Sequence, residues 1–139
     1  MKCHLLFPGQ GAQYTGMGKN LADHSLFKEA EKILNRPFAK EIFEGSGEFL
    51  QKTENSQLAI FITSAAILDN LRQNVDLELV ATAGLSLGEY SALYAAGTLT
   101  FAEALSLVQR RAAFMNAACE KIPGTMSAVM GLSSQEVQE

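Results

Sequence analysis

A short apolar run, Leu77-Glu78-Leu79-Val80-Ala81-Thr82-Ala83, leads into Gly84-Leu85-Ser86-Leu87-Gly88, and the Ala-rich stretch Glu89-Tyr90-Ser91-Ala92-Leu93-Tyr94-Ala95-Ala96 follows at once. No other feature restricts the fold as much. A run of this length between turn residues fits a strand covered within a parallel sheet. The good helix formers after it fit a helix that stops at Gly97. A glycine at each end lets strand and helix backbones approach closely and allows strained dihedrals, so the serine between them is held outward on a tight turn. A serine hydroxyl is a poor nucleophile at its own pKa. An exposed position with backbone N–H groups aimed at the acyl oxygen is what makes it effective. Ser86 is therefore a candidate nucleophile, and an ordinary βα connection with a surface serine is the alternative.

Elsewhere the chain supplies the other parts of a layered fold. Residues 3–7 read as a first strand that ends abruptly at Pro8-Gly9-Gln10-Gly11. The glycines there permit close approach to a ligand, and Gln10 offers a backbone N–H and a side-chain amide; a plain turn is the other reading. Two helical segments follow, over 17–22 and 25–34, the second with Phe27, Ala30, Ile33 and Leu34 at helical spacing. His24, between them, reads as a cap or surface residue and receives no catalytic role. Pro37 interrupts, residues 38–43 make a short helix, and Gly45-Ser46-Gly47 turns the chain. A long apolar helix then runs from Ser56, its expected N-cap, to about Asn74. Gln57 lies at the start of this buried helix and needs a polar partner, either near Ser86 or on a neighbouring backbone.

Thr100-Phe101-Ala102-Glu103 is a capping box, in which hydroxyl and carboxylate each satisfy a free N–H of the first turn. The helix it starts continues through Leu105, Leu107, Val108, Ala112, Met115 and Ala118, with Arg110 and Arg111 in its middle. Adjacent helical residues point about 100° apart, so the two arginines do not share one environment. Either one faces a serine pocket, where its fork of donors suits a substrate carboxylate, or both are solvated. Pro123-Gly124-Thr125 then turns into an expected strand over 126–132, and Ser133-Ser134-Gln135-Glu136-Val137 opens a capped helix. The order of strand, glycine loop, helices, strand, serine turn, two helices and strand is an α/β layout with a parallel sheet.

The 139 residues are 47% hydrophobic and 19% charged, a globular composition with enough chain for a real core. A net charge of −4 gives no basic surface for nucleic acid or anionic lipid. No apolar run reaches the roughly 20 residues that span a bilayer, and residues 1–7 pass into Pro8-Gly9 without a signal-peptide core, so a cytoplasmic location is the expectation. Cys3 and Cys119 stand far apart with no ligand cluster near either. They read as buried free thiols rather than a disulfide or a metal site, and no metal is expected.

Four segments also carry a family resemblance. Phe7-Pro8-Gly9-Gln10-Gly11-Ala12-Gln13 with Gly16-Met17-Gly18 resembles the FPGQGxQxxGMG opening of malonyl-CoA:acyl-carrier-protein transacylases. Gly84-Leu85-Ser86-Leu87-Gly88-Glu89-Tyr90-Ser91-Ala92 is similar to their GHSLGEYSA segment, Arg111-Ala112-Ala113-Phe114-Met115 to their RxxFM stretch, and residues 124–132 to their GxMxAxxGL strand. The resemblance spans the chain in the family's order. It implies an α/β-hydrolase-like acyltransferase subdomain over 1–125 and the opening of a smaller ferredoxin-like subdomain over 126–139, incomplete at that point. It further implies that Ser86 takes the malonyl group from malonyl-CoA as a serine ester and passes it to the phosphopantetheine thiol of an acyl carrier protein, in fatty-acid biosynthesis. By the same resemblance, backbone N–H groups of Gln10 and Leu87 form the oxyanion hole, Arg111 pairs with the malonyl carboxylate, and Gln57 lines the site. Malonyl-CoA and the carrier protein are substrates, and no bound cofactor is implied.

Two departures qualify these expectations. Leu85 stands where the family commonly has histidine, which bears on acyl selectivity. The family's catalytic histidine belongs to a later segment, and neither His4 nor His24 matches its position. The expectation is that this piece alone has little or no transacylase activity, and that an apolar edge including Met126, Val129, Met130 and Leu132 favours association. A serine esterase or thioesterase sharing the turn, and a non-catalytic fragment that binds carrier protein, are the competing readings.

Overall fold

A computed structural model describes residues 1–122, 124 and 129–138. Strand β1 (Lys2–Phe7) pairs in parallel with β2 (Glu78–Gly84), and between them the chain runs through α1 (Ser25–Leu34), α2 (Phe38–Glu44), α3 (Gly47–Gln51) and α4 (Thr53–Asn74). After β2 come α5 (Gly88–Ala95), α6 (Phe101–Lys121) and the short α7 (Ser134–Gln138). Parallel neighbours need a crossover, and here it is helical, as the α/β layout requires. The register shifts once, between Cys3 and His4, and brings Phe7 opposite Gly84. Both strands therefore end together and release the glycine loop and the serine turn at the same edge. In open α/β folds that carboxyl edge is where ligands sit.

Helix α4 is the centre of the core, with twelve buried residues. A helix apolar on most faces has to be surrounded, and α4 packs against α1 and α3 as well as α5 and α6. Phe61 on α4, fully buried, stacks on Phe101 of α6 with ring centroids 5.6 Å apart, and Tyr94 of α5 meets both rings edge-on. This aromatic cluster fixes α5 and α6 against α4, and so fixes the serine turn relative to α6.

Three local expectations need correction. Helix α4 starts at Thr53, one turn before the expected cap; Ser56 lies inside it, fully buried, and donates to the Thr53 carbonyl at 3.3 Å. The helix before it is capped by Ser46, which accepts from the Phe49 N–H at 3.2 Å and starts α3. Residues 17–22 form only a 3-10 turn over Lys19–Leu21, because Gly16 and Gly18 adopt φ of 84° and 75°, outside the helical region. Met126, Ser127 and Ala128 of the expected last strand lie outside the described residues. Residues 129–132 carry no strand, and Val129, Met130 and Leu132 are exposed. No neighbouring strand among the described residues lies beside them to satisfy a ladder. Among the described residues no helix is long and apolar enough to cross a membrane.

The capping box forms as read. Glu103 Oε2 accepts from the Thr100 N–H at 2.8 Å, while Thr100 Oγ1 accepts from the Glu103 N–H at 3.3 Å. The Thr100 hydroxyl first, and then its backbone N–H, hold the Glu103 carboxyl below the usual carboxylate range. A carboxyl depressed in the folded state stabilises fully above its unfolded pKa and loses that contribution as pH falls through the folded value. Thr100→Ala is expected to lower stability by about 1 kcal/mol near neutral pH, with a smaller deficit in acid, measured by urea unfolding at several pH values.

Candidate active site

The connection between β2 and α5 is strained where the chemistry needs it. Ser86 has φ of 53°, one of two non-glycine residues in the left-handed region among the described residues. Such a conformation persists only where neighbours enforce it. The Leu85 N–H donates to the Phe7 carbonyl at 3.1 Å, and the Gly88 N–H closes back on the Leu85 carbonyl at 2.9 Å. Gly88 lies against the end of β1: a Cβ there would stand 2.3 Å from the Phe7 carbonyl oxygen. Ser86 is exposed at the tip of this turn, while Leu87 points inward and is fully buried.

The glycine loop after β1 lies against the same turn. A Cβ on Gly9 would approach the Leu85 carbonyl oxygen to 2.8 Å, so loop and turn are in contact one residue before Gln10. The Gln10 side chain donates to Thr53 Oγ1 at 3.2 Å, tying the loop to the first turn of α4. Among the described residues, neither the Gln10 nor the Leu87 backbone N–H donates to a protein acceptor. Gln10 is exposed, whereas Leu87 is fully buried.

Helix α6 brings the charge. Ala104, Leu105, Val108 and Ala112 are buried, which sets the phase of the helix and turns Arg111 inward while Arg110 stays exposed. Arg111 Nη2 donates to Ser86 Oγ at 2.8 Å, and its Nη1 donates to Gln57 Oε1 at 2.5 Å. Gln57 is fully buried, and its partner is this guanidinium rather than a backbone group. Its Nε2 donates onward to Met115 Sδ at 3.3 Å. The structure thus joins Ser86, Arg111 and Gln57 in one hydrogen-bonded chain that ends on Met115, while Thr53 anchors Gln10 separately; the sequence pattern singled out neither Met115 nor Thr53. For Met115 a signal existed, since 104, 108, 111 and 115 recur at helical spacing on one stripe.

His24 lies elsewhere. Its Nδ1 accepts from the Leu26 N–H at 3.3 Å, capping α1, and its Nε2 faces Asp69 at 3.3 Å. His4 is exposed on β1, and of the two thiols expected to be buried Cys3 is half-buried and Cys119 is exposed. A cleft of about 330 Å³ between β1, the loop and α4 is lined by Leu5, Phe7, Met17, Ile60, Thr63 and Leu68 among others. Its lining includes neither Ser86 nor Arg111, and it holds no carboxylate, histidine, lysine or arginine.

Fold and site together define an α/β protein with a serine elbow facing a half-buried arginine held by a buried glutamine. The acyl transferase domain model matches residues 5–139, and the chain belongs to that family. It is 42% identical to a malonyl CoA-acyl carrier protein transacylase of Bacillus subtilis, over 99% of this chain and 45% of the relative. A transacylase structure from Coxiella burnetii superposes with a TM-score of 0.84 at 32% identity, over 96% of this chain and 44% of that one. A malonyl-transacylase solved in complex with a type II polyketide synthase acyl-carrier protein superposes with a TM-score of 0.83 at 33% identity, over 96% and 45%. The chain spans less than half the length of these relatives.

Proposed function

We propose that this chain carries the acyl-loading site of a malonyl-CoA:acyl-carrier-protein S-malonyltransferase of fatty-acid biosynthesis. Ser86 Oγ attacks the malonyl thioester carbonyl, the coenzyme A thiolate leaves, and the malonyl-serine ester is then attacked by the phosphopantetheine thiol of an acyl carrier protein. The observation that carries the reading is the 2.8 Å contact between Arg111 Nη2 and Ser86 Oγ. A guanidinium at that distance from the hydroxyl is placed to take the free carboxylate of an acyl group seated on it. The N–H groups of Gln10 and Leu87, which have no protein acceptor among the described residues, are the proposed oxyanion hole, one donor from the loop and one from the residue after the serine. Gln57 holds the guanidinium from the side away from Ser86.

The proton leaving Ser86 Oγ needs a base, and the chain has two histidines. Neither serves: His24 spends Nδ1 on capping α1, and His4 is exposed on β1 with no side-chain hydrogen bond to the serine turn among the described residues. The reading therefore includes little or no turnover by these 139 residues alone, with residues 1–125 as the α/β body and 126–139 as the opening of a small ferredoxin-like subdomain. It carries a cytoplasmic location with it, where thiols such as Cys3 and Cys119 remain reduced.

Incubation with radiolabelled malonyl-CoA, followed by peptide mass spectrometry, tests the scheme. Slow, at most stoichiometric acylation of Ser86 is expected, absent from Ser86→Ala, without sustained transfer to carrier protein. Acylation that persists in Ser86→Ala refutes the nucleophile, and sustained turnover refutes the missing base. Carrier binding that survives Ser86→Ala without any acylation of the unaltered chain is the result that favours a non-catalytic fragment.

A further inference from the structure

We propose that Met115 is a positioning residue for the Arg111 clamp, its thioether selecting which end of the Gln57 amide faces the guanidinium. The inference rests on the reading of Arg111 given above. A primary amide donates at one end and accepts at the other, and only one orientation suits a guanidinium, which has donors alone. Gln57 is fully buried, so water does not choose the orientation. Two protein groups do: Arg111 Nη1 donates to Oε1, and Met115 Sδ accepts from Nε2 at 3.3 Å. With the amide reversed, its N–H groups meet the guanidinium N–H and its oxygen meets the sulfur lone pairs. Both contacts are lost together.

Arg111 and Met115 are one turn apart on α6, so a single helix grips both ends of the amide. The thioether is a weak acceptor and contributes little stability of its own. Its effect is directional. It keeps Oε1 on the guanidinium, and so keeps the other guanidinium nitrogen at Ser86, where an acyl carboxylate would arrive. An acyl group without a carboxylate makes no use of that alignment. Met115 thus bears on malonyl against acetyl selectivity rather than on thioester binding in general.

Calorimetric titration of this chain with malonyl-CoA and with acetyl-CoA tests the assignment. Met115→Leu keeps the volume and removes the acceptor; malonyl-CoA affinity is expected to fall about three- to tenfold while acetyl-CoA affinity and the melting temperature hold. Met115→Gln puts an amide oxygen at similar reach and is expected to keep most of the preference. Equal losses for both thioesters, an unchanged preference in Met115→Leu, or the same loss in Met115→Gln each overturn the proposal. Arg111→Ala separates the two levels: if it erases the preference while Met115→Leu keeps it, only the role of Met115 fails. If the unaltered chain binds both thioesters equally, the clamp reading fails and takes this proposal with it.

Discussion

Arg111→Ala leaves the fold intact and removes the preference for malonyl over acetyl thioesters. Arg111 is only half-buried and lies at the border of the α6 stripe whose buried members are Ala104, Leu105, Val108 and Ala112, so its loss opens no core cavity. What it removes is a charge-assisted donor pair aimed at Ser86 Oγ and Gln57 Oε1. At a half-buried site, losing hydrogen bonds to a charged group costs about 1.5–3 kcal/mol, which is roughly ten- to 150-fold in malonyl-CoA affinity. Acetyl-CoA has no carboxylate to lose, so its affinity stays within about threefold, and the ratio of the two is the discriminating measurement. Arg110→Ala, one position away and exposed, is the control and leaves the ratio unchanged. A preserved malonyl preference in Arg111→Ala excludes the clamp and returns the serine elbow to the esterase reading.

The parts of this site that were legible in the sequence are those whose cause is local. The serine elbow announces itself because strand, glycine pair and helix are contiguous, and the α6 capping box because donor and acceptor are three residues apart. Where two local signals compete, the sequence does not choose. Ser46 and Ser56 both precede apolar helical residues, and the chain caps α3 with the first and buries the second within α4. The helical spacing over 17–22 is overruled by positive φ at Gly16 and Gly18, which a pattern of side chains does not record. The pairing of Gln57 with Arg111 spans 54 residues and depends on how α4 and α6 meet. That meeting is set by core packing around Phe61 and Phe101, so periodicity alone left both arginines and both partners of Gln57 open.

Gly84→Ala is expected to dismantle the elbow. A Cβ at Gly84 would lie 2.0 Å from the Gly88 carbonyl carbon, 2.1 Å from its oxygen and 2.4 Å from the Glu89 nitrogen. All three are backbone atoms, so no side-chain rotation relieves the contact. Ordinary packing begins beyond about 3.5 Å, and the first turn of α5 must withdraw from β2 by more than about 1 Å. That movement breaks the Gly88 N–H to Leu85 carbonyl closure and carries Ser86 away from Arg111. Overpacking by a methyl group costs about 1–3 kcal/mol where side chains adjust, and a backbone clash on three atoms belongs at the top of that range or above it. A loss of about 3 kcal/mol lowers the melting temperature by roughly 10 °C in a chain of this size. Gly47→Ala provides the comparison, since a Cβ there meets nothing within 4 Å and the residue opens α3 with ordinary dihedrals. Melting of Gly84→Ala together with Gly47→Ala, and with Ser86 acylation retained, would show that the strand and helix do not approach through Gly84.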